Sequence, residues 1–260
     1  MLLVIDAGNT NVVFAVFNGD TLLGQWRIST DPKRTADEYG VWLTQVMAHE
    51  KLNPAAVKGA VLSSVVPQAI FDLRQLARRY FGCELMVIGD PRLHLDLGIS
   101  VNIDNPREVG ADRLVNSFAA WRKYRQDLIV IDFGTATTFD VINSKGDYLG
   151  GVIAPGVNLS LDALHRAAAK LPNVAIQPPG SVIGKNTTHA MQSGIYHGYA
   201  GMVESLVSKI MKEHGAAMKV IATGGLASLY AKACPSIASV EPDLTILGLK
   251  ELYEMNRAVG

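Results

Sequence analysis

Apolar and polar positions alternate along this chain in two long, similar series. Residues 2–5 form a short apolar run closed by Asp6, and residues 12–17 form a second apolar run, which predicts two strands joined by a polar turn. A third strand is predicted over 21–29, a helix over 35–52 with Asp37 and Glu38 in its first turn, a strand over 60–66, a helix over 67–81 led by Pro67, and a strand over 85–88. The second half repeats the order. Strands are predicted over 128–131, 138–142 and 148–153, then a helix over 158–170, a long helical region over 187–214, a strand over 219–222 and further helices to the end. The pattern is βββαβα, twice. Such a duplication predicts an α/β protein of two similar domains, 1–114 and 115–260, with a ligand site in the cleft between them. Residues 98–113 separate the copies, and no low-complexity linker marks the boundary.

The same phrase closes the first strand of each half. Ile5-Asp6-Ala7-Gly8-Asn9-Thr10-Asn11 is echoed by Ile131-Asp132-Phe133-Gly134-Thr135-Ala136-Thr137. Gly8 and Gly134 let the main chain approach an anion closely, and Asn9, Thr10, Thr135 and Thr137 supply amide and hydroxyl donors. Successive backbone N–H groups in such turns form an anion-binding concavity. A carboxylate facing a polyphosphate repels it unless a cation intervenes, so Asp6 and Asp132 read as metal ligands, direct or through water. Two facing turns of this kind would clamp phosphates.

Composition narrows the partners. The chain has 260 residues, 48% of them hydrophobic, ample for a packed core. It carries 24 acids against 24 Lys plus Arg, so there is no electrostatic footprint for nucleic acid or an anionic membrane. Small ligands fit better. Cys83 and Cys234 lack metal-ligand spacing and suit a reducing, cytoplasmic setting. No apolar run of about 18 residues occurs, and the first apolar run meets Asp6 at once, so neither export nor membrane insertion is expected.

Competing motifs fail on spacing. Gly180-Ser181-Val182-Ile183-Gly184-Lys185-Asn186-Thr187 is one residue short of a Walker A loop between its glycines, and Asn186 separates Lys185 from Thr187. Gly184-Lys185-Asn186-Thr187 reads instead as a helix start whose Thr187 caps the helix or reaches a ligand. There is no Gly-x-Gly-x-x-Gly after a strand, which argues against a dinucleotide oxidoreductase. His165, His189, His197 and His214 have no metal-ligand spacing, and Trp42 and Trp121 sit at helical core spacing.

The two-domain pattern resembles the actin-like (ribonuclease H-like) superfamily of sugar kinases, acetate kinase and the Hsp70 ATPase domain. In that superfamily two hairpin turns hold ATP phosphates, and a glycine pair, here Gly224-Gly225, lies near adenosine. More narrowly, Asn105-Pro106-Arg107-Glu108-Val109-Gly110-Ala111-Asp112-Arg113 resembles the Gly-Ala-Asp-Arg signature of type III pantothenate kinase, the CoaX family. The two turns, Gly150-Gly151-Val152-Ile153-Ala154-Pro155-Gly156 and Gly184-Lys185-Asn186-Thr187 agree with it, in family order over nearly the whole chain. One position departs: Ile103 stands where many members carry a tyrosine beside pantothenate.

The resemblance implies an ATP-dependent transfer to pantothenate that gives 4′-phosphopantothenate, the first step of coenzyme A biosynthesis. Asp112 would be the general base, with Gly110, Ala111, Asp112, Arg113 and Thr187 binding pantothenate. Asp6, Ala7, Gly8, Asn9, Thr10, Asn11, Val12, Val13 and Thr135 would hold ATP, with Mg²⁺ near Asp6. Asp132 matches the ligand position of a monovalent cation, K⁺ or NH₄⁺, and the family's homodimers share the substrate pocket across their interface. Two rivals remain: another small-molecule kinase of the superfamily, against which Gly110 to Arg113 argues, and a non-catalytic nucleotide-binding regulatory protein. Retention of Asp112 and Asp132 favours catalysis.

Overall fold

The computed structural model describes residues 1–168 and 171–257. Its main chain groups into two units, each built on one mixed sheet. The first comprises residues 1–100, 104–119 and the segment from Leu244 onward, and the second comprises residues 101–103 and 120–243.

In the first unit, β1 (Leu2–Ala7), β2 (Asn11–Asn18) and β3 (Thr21–Ser29) form an antiparallel meander. Helix α1 (Ala36–His49), strand β4 (Gly59–Ser64), helix α2 (Ala69–Phe81) and strand β5 (Leu85–Val87) follow, giving the sheet order β3-β2-β1-β4-β5 with β1, β4 and β5 parallel. Alternation along the strands divides the side chains cleanly between two faces. Leu3, Ile5, Val12, Phe14 and Leu62 pack under α1 and α2, against Tyr39, Leu43, Leu73 and Leu76. Leu2, Val4, Ala15, Phe17 and Val61 face the opposite way. The short strand β6 (Ser100–Val101) precedes α3 (Ala111–Tyr124), whose Val115 and Phe118 cover that second face together with Ile246, Leu249 and Leu252 of the C-terminal helix, Leu244–Arg257.

Local signals account for the helix starts. Thr35 and Glu38 form a capping box, Thr35 N donating to Glu38 Oε2 at 2.8 Å and Glu38 N to Thr35 Oγ1 at 3.3 Å, so α1 begins one residue after the predicted start. Helix α2 begins at Ala69 rather than Pro67 and ends at Gly82, whose φ of 64° supplies the left-handed stop.

The second unit repeats the layout. Strands β7 (Leu128–Phe133), β8 (Ala136–Ile142) and β9 (Asp147–Pro155) form the meander, followed by α4 (Val157–Ala167), α5 (Thr187–His214), β10 (Lys219–Gly224), α6 (Ala227–Tyr230) and β11 (Ile237–Val240). The strand order β11-β10-β7-β8-β9 reproduces the first sheet, with β6 added beyond β9. Ile129, Ile131, Phe133 and Phe139 pack with Tyr199, Val203 and Val207 of α5 and with Tyr230, whose ring stacks on Phe133 at 5.1 Å. The predicted end of the helix after β9, at Lys170, lies outside the described residues.

The division differs from the expected 1–114 and 115–260: residues 101–103 fall in the second unit, 115–119 in the first, and the C-terminal helix in the first. The C-terminal helix, α7, belongs to the first sheet: Lys250, 7% exposed at its side chain, donates to Asp20 Oδ1 at 2.7 Å and to Glu254 Oε2 at 2.9 Å. Gly59 lets α7 come close to β4, since a Cβ there would lie 1.9 Å from Tyr253 OH. Three apolar residues spaced along α7 need a face to cover, and the first sheet offers one. Trp121 is also not the core residue expected. It is half-buried, with Nε1 donating to Ser144 O at 3.2 Å and the Arg125 guanidinium 3.8 Å from its ring centroid. No described helix is long and apolar enough to cross a membrane.

Candidate active site

In the first unit the turn after β1 is held by the end of β3. Gly8 N donates to Asn11 O at 3.0 Å, Thr30 N donates to Thr10 O at 3.0 Å, and Thr30 Oγ1 donates to Gly8 O at 2.6 Å. Asn9 and Thr10 are left exposed at the tip. Thr30 was not expected from sequence, because a Thr after a strand carries no signal of its own. Asp6 follows Leu2 and Val4 in alternation, so it lies on the face covered by α3 and α7, at the carboxyl end of β1.

The first turn of α3 sits over that same end of the sheet. Ala111 packs with the cluster holding Leu2, Val4 and Val61, and a Cβ at Gly110 would come 3.6 Å from Val65, just past β4. That Cβ would also stand 2.5 Å from Asp112 Oδ1, so glycine makes room for the carboxylate. Asp112 Oδ1 accepts the Arg113 backbone N–H at 2.8 Å. An acid in the first turn of a helix is ordinarily held ionised by the helix dipole. Here burial prevails and pushes the Asp112 carboxyl above its usual range, although the Arg113 N–H and guanidinium pull the other way. The residues Asp6, Gly110, Ala111, Asp112 and Arg113 therefore belong to one end of the first unit.

In the second unit the corresponding turn is held by backbone. Gly134 N donates to Ala136 O at 3.0 Å, and Gly156 N donates to Thr135 O at 3.1 Å, which leaves the Thr135 side chain exposed. A Cβ at Gly156 would lie 2.1 Å from Thr135 O, so only glycine permits the approach. Asp132 alternates with residues facing the core and lies on the other side, directly opposite Thr138 on β8 and Thr223 on β10. Two residues along β8, buried Asp140 accepts from Tyr148 OH at 2.8 Å and from Thr138 Oγ1 at 3.3 Å. Gly224, at φ 90°, leaves space for the acid, since its Cβ would stand 2.4 Å from Asp132 Oδ1. Carboxylate and hydroxyl oxygens are the donor set of a hard cation.

Gly184, Lys185, Asn186 and Thr187 line an open groove of about 570 Å³ with Leu164 and Met191. The helix cap is Asn186, whose Oδ1 accepts His189 N at 2.9 Å, so Thr187 is the first helical residue and not the cap. Its hydroxyl-bearing side chain is exposed beside the groove. Ile103 lies against β9, where a Cβ at Gly150 would be 3.6 Å from its Cγ2. His214 faces Asp127 at 3.4 Å, and among the described residues no group of three or more His, Cys, Asp or Glu is placed to hold a metal.

The profile of the type III pantothenate kinase family matches residues 2–209. A type III pantothenate kinase of Paramagnetospirillum magneticum is 58% identical over 256 residues, covering 98% of both chains, and one of Rhodospirillum rubrum is 56% identical over 257 residues, covering 99% of both. A ROK family glucokinase from Streptomyces griseus, solved with glucose and AMPPNP, superposes with a TM-score of 0.53 over 98% of this chain and 99% of that one, at 14% identity. That likeness concerns the fold alone and supports a duplicated actin-like architecture. With the Gly-Ala-Asp-Arg helix start, both Asp-Gly turns and full-length identity above one half, the chain belongs to the type III pantothenate kinase family.

Proposed function

We propose that Asp112 is the general base of this enzyme. The chain is an ATP-dependent kinase that phosphorylates pantothenate, the first step of coenzyme A biosynthesis, and it uses Mg²⁺ with ATP. In the transfer, the primary hydroxyl oxygen of pantothenate bonds to the γ-phosphorus as the bond to the β–γ bridging oxygen breaks, and the hydroxyl proton goes to the Asp112 carboxylate. Phosphoryl transfer is mostly positioning and charge neutralisation, so an acceptor held in one place contributes most. The observation that supports Asp112 is its buried carboxyl, raised above the usual range, beside a glycine whose missing Cβ leaves room for its Oδ1. A raised carboxylate is the better proton acceptor near neutral pH.

Around it, Gly110, Ala111 and Arg113 bind pantothenate, Arg113 through its guanidinium. Thr187 binds pantothenate from the groove at the start of α5. The turn residues Asp6, Ala7, Gly8, Asn9, Thr10, Asn11, Val12 and Val13, with Thr135, bind ATP. Asp6 would hold Mg²⁺, directly or through water, and the ion would supply charge neutralisation at the phosphates. Asp132, with Thr138 and Thr223 beside it, holds K⁺ or NH₄⁺. The enzyme is a cytoplasmic homodimer with its pantothenate pocket shared between copies. Exposed Leu149, Ile153, Leu159, Leu164, Val182 and Ile183 offer apolar area in the second unit for such an interface, and the molar mass in light scattering checks it. The free thiols of Cys83 and Cys234 suit the compartment.

The deciding experiment is pantothenate-dependent ADP formation against pH in wild type and Asp112→Asn. Since the folded pKa is raised, kcat/KM of the wild type falls as pH drops through it. The variant loses about 10²–10⁴ in kcat/KM and that acid limb together. The same burial works against the ionised fold, so the stability of the wild type declines as pH rises through the raised value, and Asp112→Asn melts higher at pH 8. Full activity in Asp112→Asn would remove the general-base role.

A further inference from the structure

Four buried hydroxyls among the described residues have no hydrogen-bond partner: those of Tyr39, Ser63, Ser117 and Thr137. A donor shut away from water and left unpaired is unfavourable, and each case calls for an explanation. Thr137 shares its strand face with Phe139 and points to the apolar core. Ser63 is different. It is fully buried on β4, whose parallel register sets it directly beside Asp6 of β1.

The face is fixed by the neighbours of both residues. Val4 and Val61 are register partners two residues earlier, and both belong to the cluster under α3 and α7. Asp6 and Ser63 therefore point the same way, with Cα atoms about 4.8 Å apart as in any paired strands. The strand ends at the next residue in a tight turn: Ser64 Oγ accepts Val66 N at 3.1 Å and Val65 N donates to Ala7 O at 3.1 Å. That turn brings Val65 to Gly110, so β4 ends where Asp112 begins its helix. Ser64 has its partners; Ser63 does not.

We propose that Ser63 is a positioning residue for Asp6 in the nucleotide-loaded enzyme, its hydroxyl donating to the Asp6 carboxylate and fixing the orientation in which that acid serves ATP·Mg²⁺. The inference rests on the assignment of Asp6 to the metal made above. A hydrogen bond to a carboxylate is shorter and stronger than one between neutral groups. A donor already buried on a strand beside its acceptor loses little freedom in making it. The unpaired hydroxyl of the free enzyme is the cost, and loading removes it.

Calorimetric titration with ATP·Mg²⁺, and with ATP in EDTA, separates this role from packing. Ser63→Ala weakens ATP·Mg²⁺ binding about tenfold and leaves metal-free ATP binding unchanged. Without ligand the variant melts at or above the wild-type temperature, because an orphaned donor has gone. Ser63→Cys keeps the shape but offers a weak donor, so it follows Ser63→Ala. Asp6→Asn weakens ATP·Mg²⁺ binding by itself, and adding Ser63→Ala to it costs no more. Wild-type affinity in Ser63→Ala or Ser63→Cys, an equal loss in EDTA, or a lower melting temperature of the free Ser63→Ala enzyme would each overturn the role of Ser63 alone. Wild-type ATP·Mg²⁺ affinity in Asp6→Asn would overturn the assignment of Asp6, and the inference with it.

Discussion

The two Asp-Gly turns occupy equivalent places in equivalent sheets, yet they are secured by different means. The first, after β1, is tied by a side chain, Thr30 reaching Gly8 O at 2.6 Å, and its own glycine has some room, since a Cβ at Gly8 would meet only Asn11 O at 3.3 Å. The second, after β7, is closed by glycine approach, with Gly156 and Gly224 each pressed within 3 Å of main chain if given a Cβ. Their acids differ in the same sense. Asp6 stands at the end of the sheet where α3 delivers a second carboxylate, Asp112, whereas Asp132 stands among hydroxyls. Duplication supplied two copies of one device, and the two have diverged: in the first a helix start brings a second acid to the turn, and in the second threonines flank the acid.

The contrast can be tested by substitution on each side. Gly156→Ala has the largest expected effect, because its Cβ would stand 2.1 Å from a backbone oxygen that cannot rotate away. A loss of about 1–3 kcal/mol in urea unfolding and a raised KM for ATP are expected. Gly8→Ala should cost much less, and equal costs would break the comparison. Next, Asp132→Asn lowers kcat/KM about tenfold in K⁺ and brings the ratio of rates in K⁺ and Na⁺ close to one. A persistent K⁺ preference would remove the cation from Asp132. The smallest effect is expected for Thr30→Val, which loses one hydrogen bond to Gly8 O, about 0.5–1.5 kcal/mol, and raises KM for ATP while leaving the K⁺ response intact. A change in K⁺ response there would mean that the two turns are not functionally separate.

Much of this was legible in the sequence because it is written locally. Strand alternation, the two Asp-Gly phrases and the acidic first turn of the helix at Thr35 are short-range patterns, and the strand orders of the two sheets repeat as the duplication predicts. The helix 187–214 was also read at its observed bounds, although its cap is Asn186 and not Thr187. What escaped depends on pairs far apart in the chain. Ser63 reads as the end of an apolar strand, and only the register with β1 sets it beside Asp6. Gly156 reads as a loop glycine until Thr135 is folded against it. Trp121 has core spacing, but its ring is shared between Ser144, Gly146 and Arg125. The home of α7 could not be read from a helix whose apolar stripe suits either sheet.

That last placement has a consequence for how the protein is made. On the ribosome, β1 to β5 emerge first, but the face bearing Leu2, Val4, Ala15, Phe17 and Val61 stays without Ile246, Leu249 and Leu252 until α7 is synthesised. Residues 120–243 have all been translated by then. The unit that starts the chain is thus the last to be completed, and nascent chains halted before Leu244 should expose an apolar surface that binds a hydrophobic dye or a chaperone, one that vanishes once the final helix is released.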